Sequence, residues 1–470
     1  MKNSLILSIG HILSKLLNLL VFLILTRYLG SETFGLFSFG MAYMILFRVC
    51  TNAGLDTLLT KNIAQNKIEA QRFTAESTGM LLPLAIFTLL LMHSSAVFLG
   101  FTALERSILF ALSFYLVFDS WGRYCCAIFR GFEKMQYETI VMIFERSAMF
   151  FVTLICWQLN YSLLYIVWGL ACVQFLKWLL AGILVSKFFF PWNIQFNYQK
   201  VAQLLKIALP FALVVAFDTV TTRIDIVMLK MLHGDSVAGN YNAARRLLES
   251  ISFIPENIYN SLLPAASLLF LQHKKKYVAT FQTSFQLMIT VAIPLSIVLF
   301  ALAPAIIHFL LPEEFNSAIT AFKLLSIVSG FLFLKFTFAA ALNSSGKQMW
   351  MSGLVLAGML TNIILNTLLI PSFDILGAGI ATIASELLMA VLGVIWLRRF
   401  LGISVLSRSL WMVCFSAIVA AGSFWLDYGV FGQCLMFILL YLVLLNWLGV
   451  LPKNLLSSTW HKTLARFKQN

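Results

Sequence analysis

Apolar stretches about as long as a membrane helix recur along the whole chain, parted by short polar turns. They fall near 5–26, 34–58, 77–98, 104–128, 138–158, 161–186, 204–229, 236–270, 278–302, 315–342, 349–370, 374–397, 407–426 and 430–449. A helix needs roughly 20 mostly apolar residues to cross the hydrocarbon of a bilayer. Only helices and closed barrels satisfy every backbone polar group there. The pattern therefore predicts an all-α polytopic membrane protein of about 14 transmembrane helices. The eighth stretch is long enough to tilt strongly or to project beyond the membrane. Composition agrees: 60% of residues are apolar and 11% charged, against about 45–50% and about 25% in soluble domains.

The polar turns carry a strong bias of charge. With the amino terminus placed in the cytoplasm, nineteen Lys and Arg residues fall in loops and ends on that side and three, Arg27, Arg106 and Lys230, on the other. Cytoplasmic loops are the basic ones in membrane proteins, so both termini are expected in the cytoplasm. The net charge of +14 is then loop decoration, and no nucleic-acid partner is expected. The seven cysteines lie inside apolar stretches with no metal-ligand spacing, and read as small core residues. The first apolar run continues through Lys15 to Thr26 without a cleavage site, so it reads as a retained helix.

A repeat divides the chain. Gly30-x4-Gly35-Leu-Phe37 joins spans one and two, and Gly234-x4-Gly239-Asn-Tyr241 joins spans seven and eight, 204 residues later. Both units start from the same side, which gives two six-helix lobes related by a pseudo-two-fold along the membrane normal, a transporter architecture. The expected organisation is an N-lobe at 1–187, a cytoplasmic linker at 188–203, a C-lobe at 204–400, two peripheral helices within 401–450, and a basic cytoplasmic tail at 451–470.

Nineteen charged residues lie within the spans, eleven basic and eight acidic. Each would cost roughly 2.5–3.5 kcal/mol at the centre of a lipid-facing helix, so they must face protein or a watery cavity. Helical spacing agrees: Asp119 and Arg123 share a face, as do Arg48, Asn52 and Asp56; Asp218, Thr222 and Asp225; and Asn242, Arg245, Glu249 and Glu256. Asp119–Arg123, Arg245–Glu249 and Arg246–Glu249 have the spacing of self-neutralising pairs. The excess of bases points further, to a positively lined cavity for an anionic substrate. Lys15, Arg48, Arg123, Arg223, Arg245 and Lys323 are the candidate substrate-binding residues. Asp218, Asp225, Glu249 and Glu256 are candidates for ion coupling. Lys177 and Lys206 read as snorkelling to the interface, and His11 as an interior histidine. Pro210, Pro255, Pro264 and Pro294 interrupt spans and can kink them. There is no P-loop, nucleophile elbow, zinc motif or dinucleotide fingerprint, and no metal site or cofactor is expected. The chain reads as a transporter and not an enzyme.

Local motifs now carry a resemblance. They are Arg27-Tyr28-Leu29-Gly30 through Phe34-Gly35-Leu36-Phe37, Asn52-Ala53-Gly54-Leu55-Asp56, Leu209-Pro210, Arg223-Ile224-Asp225, and Gly239-Asn240-Tyr241-Asn242-Ala243-Ala244-Arg245-Arg246-Leu247, then Ile254-Pro255 and Leu263-Pro264. In order and spacing the chain resembles the Wzx-like oligosaccharide flippases of the multidrug/oligosaccharidyl-lipid/polysaccharide (MOP) superfamily. The resemblance covers nearly the whole chain. It implies translocation of an undecaprenyl-pyrophosphate-linked oligosaccharide across the bacterial inner membrane by alternating access, for O-antigen, capsule or exopolysaccharide assembly. It also implies H+ or Na+ coupling as an option, contact with membrane lipids, and a polysaccharide polymerase and chain-length regulator as partners. Three other readings stay open. A lipid II flippase differs mainly in cargo. A drug exporter of the related twelve-span type expects cationic substrates, against the basic surplus. A membrane O-antigen polymerase or ligase expects a large external loop, and the longest here is about 303–314.

Overall fold

The computed structural model describes residues 2–193, 198–403, 408–425 and 429–448, and every regular element among them is a helix. The tail at 451–470, part of the 188–203 linker, and the side chains of His11 and Lys206 lie outside the described residues. Lys2–Asn52 is continuous in hydrogen bonding but breaks at Gly30, where φ is 67°, so it holds two spans, α1 (2–29) and α2 (31–52). Leu55–Gln65 (α3) continues α2 past a left-handed turn at Ala53 and Gly54. Then come α4 (Ala70–Phe98), α5 (Ala103–Gly131), α6 (Met135–Gln158), α7 (Leu163–Phe188) and α8 (Tyr198–His233).

The long eighth stretch is broken. It divides into α9 (Asp235–Glu249) and α10 (Phe253–Gln272), with a single 3-10 turn at Ser250–Ser252 between them. Pro255 lies in the first turn of α10, where its missing N–H costs nothing, so the helix restarts just ahead of it. Helix continues through Pro210, Pro264 and Pro294, so of the four prolines only Pro255 adjoins a break. After α11 (Lys274–Leu310) and α12 (Ala318–Ser344), Gln348–Leu401 breaks at Asp374, where φ is 40°, into α13 (348–373) and α14 (375–401). The described chain closes with α15 (Arg408–Ala421) and α16 (Gly429–Trp447). The expected order of about fourteen spans is present. Among the described residues, eight helical segments are long and apolar enough to cross a membrane by composition. Charge-rich α5 is not among them.

Residue contacts divide the chain into two compact units. The first comprises Met1–Ser250, Ile307–Ala321 and Val355–Ala381. Within it, the two halves of the sequence repeat meet. Gly30 and Gly234 share one backbone state, with φ 67° and 91° and ψ near 180° at both, which residues bearing a Cβ rarely adopt. Five residues beyond each, α2 and α9 cross so closely that a Cβ on Gly35 would strike the Asp235 carbonyl, and one on Gly239 the Ser31 carbonyl. The Asn242 amide donates to Ser38 Oγ at 2.7 Å, and the Ser31 and Ser236 hydroxyls lie 3.1 Å apart. Small residues allow helix backbones this approach in a membrane. A capping box starts α5: Glu105 N–H donates to Thr102 Oγ1 and Thr102 N–H to Glu105 Oε2, satisfying two orphan donors.

The second unit comprises Ile251–Ile306, Phe322–Leu354 and Thr382–Asn470. Tyr277, Phe281, Phe285 and Ile289 recur every fourth residue on α11 and fill its core. Phe437, Tyr441 and Leu445 do the same for α16, with Tyr441 Oη donating to the Thr290 carbonyl at 2.9 Å. The opposite face of α16, with Phe431, Leu435, Leu439 and Val443, is exposed. In lipid an outward apolar face carries no solvation cost, so packing and hydrogen bonds hold the helix in place.

Candidate functional site

The first unit contains two linked charge networks. In the first, α5, α6 and α7 converge. Lys177 is buried on α7, and its ammonium has three donors. They go to Asp119 Oδ1 at 2.8 Å, Gln174 Oε1 at 3.1 Å and Glu145 Oε2 at 3.2 Å. Gln174 Nε2 in turn donates to Glu145 Oε1 at 3.0 Å. Asp119 also holds Arg123, Nη2 to Oδ2 at 3.2 Å, one turn along α5. The structure corrects the snorkelling expectation for Lys177. It sits mid-helix, between two carboxylates, because α6 and α5 bring Glu145 and Asp119 to the same depth. The Arg123 guanidinium keeps one buried nitrogen, Nε, without an acceptor among the described residues. Ser120, one turn before it, takes Nη2 at 3.4 Å and meets Thr51 of α2.

In the second network, α8 and α9 converge on Asp225, which is wholly buried. Its Oδ2 accepts from the Tyr241 hydroxyl at 2.7 Å and from Arg245 Nη1, and its Oδ1 accepts from the Ile226 N–H at 2.9 Å. Arg245 Nε lies 3.5 Å from Glu249 Oε1, and Arg223 Nη2 reaches the same oxygen at 3.1 Å. Glu249 therefore joins arginines from two helices. The spacing-based pair Arg246–Glu249 is not formed at ion-pair distance. Glu249 is still the charged neighbour that acts on Arg246 most strongly, followed by Arg223, Tyr115 and Arg146.

Arg48 of α2 links the networks. Its charge acts on Arg123 and Asp119 of the first and on Arg223 of the second, with Asp56 on its own chain segment. Arg48 and Arg246 have no carboxylate at ion-pair distance among the described residues. Taken together, seven bases (Arg48, Arg123, Arg146, Lys177, Arg223, Arg245, Arg246) face five carboxylates (Asp56, Asp119, Glu145, Asp225, Glu249). Like charges in a low-dielectric interior repel by more than in water, and a polyanion would relieve that.

Four of the six candidate substrate residues, Arg48, Arg123, Arg223 and Arg245, thus come together, with Asp225 and Glu249 among them. Lys15 is exposed on α1. Lys323 belongs to the second unit, where its ammonium lies 5.7 Å from the Phe300 ring. Asp218 is half-buried on α8, and Glu256 is exposed on α10. Sequence reasoning left Glu145, Gln174, Tyr241, Arg146 and Arg246 out of the candidate set. Opposite charges at matching depth on adjacent spans, Glu145 and Lys177, were the signal available.

The chain matches two family models, that of the polysaccharide biosynthesis proteins over residues 1–270 and that of the lipid II flippase MurJ over residues 140–444. A protein of Escherichia coli (strain K12) described as "Putative O-antigen transporter" is 21% identical over 394 residues, which cover 82% of this chain and 93% of that protein. Among solved structures, the inward closed conformation of the lipid II flippase MurJ covers 93% of this chain and 97% of its own, with TM-score 0.75 and 14% identity. The inward-facing conformation of a MATE multidrug resistance transporter covers 85% of this chain and 98% of its own, with TM-score 0.68 and 13% identity. These likenesses establish the two-lobe MOP-superfamily fold.

Proposed function

The chain belongs to the polysaccharide biosynthesis protein family, and on that premise we propose that it is a flippase for a polyprenyl-pyrophosphate-linked oligosaccharide. The observation that carries this reading is the charge imbalance of the joined networks, in which Arg48 and Arg246 lie near carboxylates but within ion-pair distance of none among the described residues. A pyrophosphate supplies the missing negative charge. The planar guanidinium fork suits it, because it holds two phosphate oxygens at once. A cationic drug would be repelled by the same residues, which argues against an exporter of that kind. Lipid II also carries a pyrophosphate, and the choice between it and another oligosaccharide rests on the sugar.

In this reading the lobes at 1–187 and 204–400 alternate about the linker, in the bacterial inner membrane with both termini cytoplasmic. The work is transport without covalent chemistry, and a polysaccharide polymerase would receive the product. An ion gradient is the proposed energy source. Among the carboxylates, Asp225 and Glu249 hold arginines, so a coupling cation at either must first displace a guanidinium. Transport by Asp225→Asn that stays fully gradient-dependent rules Asp225 out as the coupling site.

The direct test is surface-glycan assembly in a flippase-null strain, with protein level measured in parallel. Arg48→Ala and Arg246→Ala should each insert and accumulate normally yet lose most glycan. Full glycan from both would remove the anionic-cargo reading of this site.

A further inference from the structure

The loops that the charge bias assigns to the cytoplasm are basic in both units, but the bases are not treated alike. In the first unit acids answer them. Lys67 pairs with Glu133 at 3.4 Å, Arg72 with Glu76 at 3.1 Å and Arg130 with Glu138 at 2.6 Å. In the second unit Lys274, Lys275, Lys276, Arg398 and Arg399 are exposed and Lys347 is half-buried. The stretches 257–312, 315–373 and 387–426, which contain all six, hold no Asp or Glu. Topology does not demand that absence. Lys and Arg set the orientation of a membrane protein and acids contribute little, so acids would be tolerated here as they are in the first unit.

Contacts within the unit bring the six bases to one end. The hydroxyl of Tyr277, next after the three lysines, donates to the Ala341 carbonyl at 2.7 Å and lies 3.1 Å from Ser344 Oγ, in the last turn of α12. Lys347 follows in the turn to α13, and its ammonium donates to the Phe400 carbonyl at 3.4 Å, beside Arg398 and Arg399. That ammonium also lies 4.8 Å from the centre of the Phe400 ring. Trp350 packs on Phe400 at 4.4 Å and on Trp396 at 5.1 Å, which ties the start of α13 to the end of α14. The arrangement is unfavourable as it stands. Like charges gathered together repel, and the three lysines occupy the first turn of α11, where the helix dipole disfavours cations. An anion bound among them relieves both costs.

We propose that this end of the second unit is a binding surface for the phosphate groups of anionic glycerophospholipids in the adjoining leaflet. Charge complementarity requires an anion, and the borders of the surface say which kind. Leu268 and Leu271 precede the lysines on α10, Met349 and Trp350 follow Lys347, and Ile395 lies one turn before Arg398; all five are exposed. Bases that adjoin apolar surface of this sort sit at the depth of the headgroups. A partner arriving from water would meet the bases but not the apolar border, whereas a phospholipid meets both. Clusters of roughly four to eight Lys and Arg beside a membrane helix draw anionic lipid in this way. The inference does not depend on the identity of the cargo.

The test titrates the purified full chain in detergent with phosphatidylglycerol or phosphatidylcholine and reads bound lipid by native mass spectrometry. Phosphatidylglycerol should bind roughly tenfold more tightly. The Lys274→Gln, Lys275→Gln, Lys276→Gln variant should lose most of that preference. So should the Arg398→Gln, Arg399→Gln variant, which leaves α11 intact and serves if the first does not fold. Lys61→Gln, Lys67→Gln, Arg72→Gln, which removes as many bases from the first unit, should keep the preference. Equal affinity of the wild type for the two lipids, an unchanged preference in the second-unit variants, or the same loss in the first-unit variant would each overturn the proposal. Displacement of the phosphatidylglycerol by equimolar polyprenyl pyrophosphate would overturn it too, by assigning the surface to the carrier.

Discussion

Lys177 and Arg48 bring the same charge into the same unit and meet opposite surroundings. Lys177 has all three donors engaged by Asp119, Gln174 and Glu145, whereas Arg48 has no carboxylate at ion-pair distance among the described residues. Removing one partner of a buried ion pair costs roughly 3–5 kcal/mol, because the charge left behind is uncompensated. Lys177→Met should therefore lower the thermal midpoint of the purified protein sharply, and Glu145→Gln in the same chain should recover part of the loss. Arg48→Ala should melt like the wild type while abolishing transport. If the two variants show the same stability, the division between structural and cargo-facing bases fails. Tyr241→Phe tests the second network: a hydrogen bond to a charged group contributes about 1.5–3 kcal/mol, so a loss of that order is expected in a chemical-denaturation series. At this scale the sequence was readable only within a helix. Asp119–Arg123 and Arg245–Glu249 follow from spacing alone. Lys177 and Arg246 do not, since their partners depend on how each helix is rotated against its neighbours, which periodicity leaves open.

Among the elements, the junctions of the repeat are the most exacting. Gly35 and Gly239 stand where α2 and α9 cross with no room for a side chain. Gly234 has open space around it but a backbone state that other residues rarely adopt. The two should fail to different degrees on substitution. Gly239→Ala already sets a Cβ against the Ser31 carbonyl and the Gly35 backbone, which no side-chain trimming on α2 can relieve, and it should leave little folded protein. Gly234→Ala meets no neighbour and strains only its own backbone, at about 1–2 kcal/mol, so part of the folded yield should remain. Folded yield by size-exclusion chromatography distinguishes the two, and a Gly239→Ala yield equal to or above that of Gly234→Ala would contradict the packing account. The repeat was legible because glycine spacing records both demands at once. The break at Ser250–Ser252 was not, because Pro255, Pro264 and Pro294 look alike in sequence and only Pro255 falls in a first helical turn. The division between the spans at 349–370 and 374–397 was legible from hydropathy, but the positive φ of Asp374, a non-glycine residue, was not.

For the whole molecule, the bias of bases among the loops and the family fold make one account. Reporter fusions after Lys276 and Arg399 should report the cytoplasm and fusions near Glu313 the outside; a reversed result at any two would overturn the proposed topology. The apolar spans could be read from hydropathy, since a bilayer imposes helix length directly. The proposed cargo site could be read only as a surplus of charge among the spans. The central claim is that this surplus binds and moves a lipid-borne pyrophosphate. Its most direct measurement is translocation of a fluorescent polyprenyl-pyrophosphate oligosaccharide across proteoliposomes holding the purified chain, scored by the fraction of headgroup that becomes reachable from the opposite leaflet. The account predicts transfer by the wild type, and little or none by the Arg48→Ala, Arg246→Ala double variant at equal protein load. Transfer by that double variant at the wild-type rate, or none by the wild type itself, would contradict it.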